Sequence, residues 1–265
     1  MLLASWNLNS IRAREERLLV WLENRQPDVI CLQELKCTED QFPFEAIEAA
    51  GYQAIVYGQK TYNGVAILTK SDPTNVSTGF GDGEDDSEAR VIAATIDGVR
   101  IISVYVVNGK QIDSEKYAHK LEWLDRLERY LAAQDLTVPL AICGDYNIVP
   151  DERDVEKHEM WQGGVLYNED LSARFERLLD LGLADTFRTH HDEAGIYSWW
   201  DYRMLGFPKN NGLRIDHILA THPLAGRSMN AWVDRDERKG KKPSDHAPVL
   251  TEFADWLAGR HTRDI

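Results

Sequence analysis

Eight strand-like runs of four to seven residues divide this chain: 2–6, 29–32, 64–69, 91–96, 99–105, 138–143, 215–220 and 248–253. Runs of that length and character read as buried strands. Several are bounded by oxygen or imidazole groups. Trp6-Asn7-Leu8-Asn9 closes the first run, and Gln33-Glu34 closes the second. Gly144-Asp145-Tyr146-Asn147 follows the 138–143 run, and Ser244-Asp245-His246 precedes the last. The end of a buried strand is where a site can open. Four such ends point to one pocket assembled from across the chain. Its hard ligands suit Mg²⁺ or Mn²⁺ and phosphate chemistry.

Helical stretches interleave with these runs. Residues 14–25 carry Leu18 and Leu22 before Pro27, and 115–133 repeat Tyr117, Leu121, Leu124, Leu127 and Leu131 at helical spacing. Residues 171–181 carry Phe175, Leu178 and Leu179 ahead of Gly182, a C-terminal cap. Asp97-Gly98 between two strand runs signals a hairpin, which excludes a purely parallel sheet. Mixed strands with helices between them predict an α/β fold of two packed sheets with helices outside. Ligand motifs spread from residue 7 to residue 246, so one domain over 1–265 is expected.

No apolar run approaches the length of a membrane span, and a motif follows directly on Met1 without a basic leader. A cytoplasmic protein without membrane contact is expected, with a monomer as the default state. Cys31, Cys37 and Cys143 are odd in number and lack metal-ligand spacing; Cys31 and Cys143 lie within apolar runs and read as small buried hydrophobes, not disulfide partners or zinc ligands. The acidic loop 79–88 holds Asp82, Glu84, Asp85 and Asp86 but departs from the calcium-loop pattern, so it reads as solvated. A net charge of −14 weighs against tight, processive binding to a polyanion. It leaves room for a transient nucleic-acid substrate if the acidic charge lies elsewhere.

Glu34, at the end of a buried strand, needs a partner to stay ionised, and a divalent metal is one. Asn7 offers a neutral oxygen beside it; a helix cap and a turn are the plainer readings of these two residues. Asp145 suits orienting or deprotonating a water, and Asn147 suits hydrogen bonding to a phosphate oxygen. A simple Asx turn is the alternative. His246 beside Asp245, or near Asp216, is pushed toward imidazolium, a phosphate-binding form. A structural Asp–His pair fits that fragment equally well. Tyr105 ends a strand and reads as an acid, a phosphate ligand or a core tyrosine.

Further segments carry more: Asp185-Thr186-Phe187-Arg188, Ser198-Trp199-Trp200-Asp201-Tyr202-Arg203 and Gly212-Leu213-Arg214-Ile215-Asp216-His217. With Trp6 to Arg12, Leu32 to Lys36, Gly144 to Ile148 and Ser244 to Pro248, they span nearly the whole chain. Together they resemble the exonuclease III family of Mg²⁺-dependent abasic-site DNA endonucleases, within the wider endonuclease/exonuclease/phosphatase superfamily. The resemblance implies a four-layer αββα sandwich of two mixed sheets flanked by helices. It implies Glu34 as main metal ligand with Asn7 and Asp245 near the metal, Asp145 orienting the attacking water, and Asn147 holding the phosphate. His246, oriented by Asp216, would bind the scissile phosphate, and Tyr105 would sit at the phosphate or leaving group. Trp199, Leu213 and Ile215 would line a pocket for a flipped-out sugar lacking its base, and Arg203 would insert into the duplex.

The implied activity is a phosphodiesterase acting on double-stranded DNA with abasic sites or damaged 3′ ends, with Mg²⁺ as cofactor and Mn²⁺ as an alternative. Asn108, Lys36 and Arg90 are candidate substrate contacts, with further lysines at 110, 116, 209, 239, 241 and 242. Two departures stand out. Val107 replaces the family's usual proline, and Tyr167 is bulky where a small polar residue is common. Tyr167 is expected to narrow access and favour 3′ ends. A superfamily phosphatase of small-molecule or lipid phosphates, and a catalytically inactive damage-binding module, are the alternative classes.

Overall fold

Side-chain alternation along the first strand already separates two apolar layers. In β1 (Leu2–Asn7) Leu3 joins one buried cluster, while Ala4 and Trp6 join another on the opposite face. The computed structural model describes residues 1–84 and 87–254. After β1 come α1 (Ile11–Arg25), β2 (Val29–Gln33), α2 (Phe44–Ala49), β3 (Gln53–Tyr57), β4 (Val65–Thr69), β5 (Thr74–Thr78), β6 (Val91–Ile96) and β7 (Val99–Tyr105). Next are α3 (Glu115–Ala132), β8 (Leu140–Asp145), α4 (His158–Trp161), α5 (Glu169–Asp180) and β9 (Leu183–Asp185). The order ends with β10 (Asp216–Thr221), α6 (His222–Ala225), β11 (Ser228–Val233) and β12 (Val249–Phe253).

Among the described residues the strands form two mixed six-stranded sheets, ordered β11-β12-β1-β2-β4-β3 and β5-β6-β7-β8-β10-β9. Leu3, Cys31 and Ile67 of the first sheet meet Ile92, Ile101 and Cys143 of the second across their inner faces. Trp6, Leu18, Trp21 and Ile47 seal α1 and α2 onto the outer face of the first sheet. Leu124, Leu127, Phe175 and Leu178 seal α3 and α5 onto the second. This is the expected four-layer α/β sandwich. Cys31 and Cys143 are buried as expected, and Cys37 is buried as well.

Local chemistry sets the element ends. Asp97 and Gly98 take positive φ, 49° and 80°, in the tight turn joining β6 to β7. Gln26 caps α1 in the left-handed region, donating to Leu22, and Pro27 follows. Ser114 and Asn168 accept main-chain N–H groups at the starts of α3 and α5. Gly182 (φ 104°) follows α5, where a cap was expected.

Four strands were not legible as apolar runs: β3, β5, β9 and β11. They are the four sheet edges. An edge strand pairs on one side only, so its residues need not be apolar; all five residues of β5 are exposed. In the acidic loop, Arg126 makes a two-pronged ion pair with Asp82, so this part is anchored instead of freely solvated. Asp85 and Asp86 lie outside the described residues.

Each sheet holds one parallel pair at its centre, β1 with β2 and β7 with β8. Antiparallel neighbours flank them: β12 beside β1, and β10 beside β8. The C-terminal ends of the parallel strands therefore share one rim with the start of β10 and the approach to β12. Asn7 lies opposite Gln33, Tyr105 opposite Asp145, and Asp216 opposite Asp145.

Candidate active site

That rim gathers Glu34, Asp145 and His246, each with a ligand atom within 4.8 Å of the others. Glu34 follows β2 in a left-handed backbone conformation (φ 51°), which turns it out of the strand. The Asn7 amide donates to Glu34 Oε1 at 2.9 Å and to Asp145 Oδ2 at 3.0 Å. It thereby links carboxylates from the two sheets. Ser244 Oγ donates to the Asn7 carbonyl at 2.7 Å, tying in the segment that carries His246. Lys36 Nζ sits 2.8 Å from Glu34 Oε2 and also bonds Asn9 Oδ1.

The electrostatics follow from burial and proximity. Burial raises the pKa of Asp145; His246 opposes that, while Asp216 and Glu34 add to it. For His246, burial works against the charged form, but Asp216 and then Asp145 outweigh it and raise its pKa. Its Nδ1 lies 2.8 Å from Asp216 Oδ2, and its Nε2 lies 3.7 Å from Asp145 Oδ2. Ser198 Oγ donates to Asp216 Oδ2 at 2.6 Å, which fixes the carboxylate. Burial, then Glu34 and Asp145, keep the Tyr105 phenol protonated by raising its pKa. Asn147 Nδ2 donates to the Val106 carbonyl at 3.0 Å, and its Oδ1 accepts from Asn108 Nδ2 at 2.8 Å.

The donor set fits a hard cation. Asp145 is buried beside Glu34 and Asp216, and a divalent ion relieves such crowding of carboxylates. The protonated His246 is unsuited to metal ligation and suited to an anion. Asp245 lies outside the three-residue cluster. Its Oδ1 accepts from Asn9 Nδ2 at 2.9 Å and its Oδ2 from Trp199 Nε1 at 3.0 Å.

Other expected contacts are placed differently. Arg90 is buried, with its guanidinium over the Tyr105 ring at 4.8 Å and bonds to Glu88 and the Tyr105 carbonyl. It supports Tyr105 and presents little surface to a duplex. Lys36 is likewise engaged at Glu34. Leu213 and Ile215 are buried with Val149, Val155 and Leu166, so they pack as a floor and do not line an open cavity. Trp161, Tyr167 and Trp199 pack over that floor. Arg203 is 84% exposed and paired with Asp201, in the exposed loop that also holds Tyr202 and Met204.

Two residues at the site stood in sequence motifs but had no role assigned from the sequence. Asn9 joins Lys36 to Asp245, and Ser198 orients Asp216. Behind the site, Arg214 bonds Asp154 and Asp185, and Arg188 also bonds Asp154. This buried ion network anchors the segment leading into Asp216. Asp185, Arg188 and Arg214 stood in quoted motifs without a role, and Asp154 stood in none.

Two stacked mixed sheets with a carboxylate pair, an imidazolium and asparagine amides at one rim define a metal-assisted phosphoesterase. Whole-chain similarity narrows this class. The endonuclease/exonuclease/phosphatase family signature matches residues 4–246. Exodeoxyribonuclease III of Haemophilus influenzae is 38% identical over 262 residues, covering 94% of this chain and 98% of that protein. An AP endonuclease from Archaeoglobus fulgidus superposes with a TM-score of 0.93 at 38% identity, over 96% of this chain and 100% of that one. The 3′ phosphatase NExo from Neisseria, in a structure bound to product DNA hairpin, gives a TM-score of 0.94 at 40% identity, over 97% and 100%. The chain belongs to the endonuclease/exonuclease/phosphatase family and, within it, to the exonuclease III group of DNA-repair nucleases.

Proposed function

We propose that the chain, acting as one catalytic domain, is a Mg²⁺-dependent phosphodiesterase of damaged duplex DNA that cleaves 5′ to abasic sites and trims 3′ ends, with 3′ ends preferred. Mn²⁺ is an alternative ion. One observation carries the reading: Asp145, a desolvated base, faces the His246 imidazolium at 3.7 Å and is spanned by Asn7 to Glu34. A base, a cation and a carboxylate suited to a metal thus meet at one point.

Glu34, with Asn7 and Asp245 nearby, would hold the ion, which when bound would supply positive charge to offset that developing on the phosphate and the departing oxygen. Asp145 orients a water and takes its proton as the water oxygen bonds to phosphorus. The His246 Nε2–H and the Asn147 carboxamide donate to the non-bridging oxygens. The bond to the departing oxygen breaks, leaving a 3′-hydroxyl at an internal site, and Tyr105 holds a proton for it. Asp216 keeps the His246 ring in place throughout.

The preference for 3′ ends rests on the apolar floor. A flipped sugar needs the space above Leu213 and Ile215, yet Trp161 meets Trp199 edge-on at 5.8 Å and Tyr167 packs on His158 at 5.2 Å. A terminal phosphate reaches the rim without that space. Duplex DNA with damaged ends or abasic sites is the partner, bound by a monomer. A cytoplasmic location, where such DNA is accessible, accords with three unpaired cysteines. Among the described residues, no helix is long and apolar enough to cross a membrane.

The test uses three duplexes: one with a 3′-phosphate, one with an internal abasic analogue, and one unmodified. Each is incubated with Mg²⁺ or EDTA. Metal-dependent phosphate release faster than nicking at the analogue is expected. Activity insensitive to EDTA, or retained in full by Glu34→Ala, would refute the metal assignment. Binding without turnover would indicate a damage-binding module, and neither binding nor turnover would point to small phosphates.

A further inference from the structure

Lys120 is the one lysine in the apolar stripe of α3, flanked by Trp123, Leu124 and Leu127 and fully buried. Its ammonium makes three hydrogen bonds, all to main-chain carbonyls: Asn147 at 2.7 Å, Asn108 at 3.3 Å, and Val165. Those carbonyls belong to three separate loops. One carries Asn147, one carries Asn108, and the third leads into Tyr167.

We infer that Lys120 is a positioning residue for phosphate binding, holding the Asn147 loop in register with the Asn108 and Tyr167 loops. Three acceptors converging on one nitrogen require three N–H donors, which only the ammonium form has. None of its hydrogen-bond partners is a carboxylate, so carbonyl dipoles hold the buried charge, with Asp145 acting on it only at longer range. Burial draws its pKa down to about 7, against a pull upward from Asp145. A charge held at that cost needs a structural demand that a methionine of similar length would not meet.

The Asn147 backbone supplies that demand. Asn147 has a left-handed backbone (φ 51°), and its N–H is committed to Asp145 Oδ1 at 2.9 Å. Its side chain is held by Asn108 and the Val106 carbonyl. Only its carbonyl remains to be fixed, and Lys120 fixes it. Gly109 makes room for the lysine stem: a Cβ there would lie 3.1 Å from Lys120 Cδ and 3.2 Å from Tyr117 Cδ2, at a φ of 91°. The loop carrying Asn108 is thus shaped around Lys120.

This inference rests on the phosphate-holding role of Asn147, and a double-mutant cycle separates the two. The full chain is assayed with Mg²⁺ on the 3′-phosphate duplex as wild type, K120M, N147A and K120M/N147A, with folding checked by circular dichroism. K120M is expected to lower kcat by about 10- to 100-fold, with KM and the half-saturating Mg²⁺ changed by about 2-fold at most. In the N147A background the same substitution should cost about 2-fold or less, because the group it positions is gone. A K120M enzyme with wild-type kcat, or an equal penalty in both backgrounds, overturns the role of Lys120 alone. An N147A enzyme with wild-type activity overturns the reading of Asn147 and this inference with it. If K120M does not fold, K120Q, which keeps two N–H donors without the charge, goes through the same cycle under the same criteria.

Discussion

At the scale of single residues, Asp145 is the group whose chemistry depends most on its surroundings. Asparagine in its place keeps the shape and one carbonyl oxygen for the Asn147 N–H, but removes the base. Asp145→Asn should therefore lower kcat by about 100-fold or more with little change in KM, read from steady-state phosphate release. Unchanged kcat would remove Asp145 from the role of base. Tyr167 acts by bulk instead of charge. Tyr167→Ala should open the space over Leu213 and Ile215 and raise abasic-site nicking relative to 3′-phosphate release by about 10-fold. A constant ratio would show that Tyr167 does not set the preference. Glu34, Asp145, Asn147, Asp216 and His246 were legible in the sequence because each lies in a short polar motif at a strand end. Arg90, named as a candidate substrate contact, is drawn inward by Tyr105 and Glu88, a placement that local sequence does not encode. Lys120 gave a quieter signal, a lysine at a stripe position of an amphipathic helix.

At the scale of elements, the strands differ in how strongly the chain specifies them. The eight central strands have inward faces that must be apolar, and they were readable from composition and alternation. The four edge strands lack that requirement. β8 has a further constraint where it pairs with β7. A Cβ on Gly144 would lie 1.9 Å from the Val104 carbonyl oxygen. Gly144→Ala must push two central strands apart just before Asp145 and should cost about 3 kcal/mol, measured by urea unfolding. A loss below about 0.5 kcal/mol would mean that the strands yield freely there.

For the whole molecule, the buried ion network under the rim links stability to pH. His217 Nε2 lies 3.0 Å from the Ile148 carbonyl and its Nδ1 2.9 Å from Arg214 Nη1, so the ring is held neutral, donating through the first and accepting through the second. Burial and then Arg214 lower its pKa from the ordinary imidazole value of about 6.5 to about 4. The unfolded chain therefore binds a proton in this window that the folded protein refuses. Stability should fall as pH drops from about 6.5 toward about 4, by roughly 3 kcal/mol if His217 acts alone. His217→Gln should flatten that part of the profile of Tm against pH. An identical slope in both proteins would assign the effect to other groups.

The amino-acid order alone set the central strands, the main helices and the ligands that wait at strand ends, because alternation and turn chemistry act over a few residues. Which ends meet was decided in three dimensions. Asn7 and Asp145 are 138 positions apart, and their contact exists because a parallel pair sits at the centre of each stacked sheet. The folded structure also settled where side chains turn: Asp245 toward Asn9 and Trp199, Arg90 beneath Tyr105, and Lys120 under the loops of Asn108, Asn147 and Val165. Those directions depend on packing and hydrogen-bond partners brought in from distant segments, which local spacing does not encode.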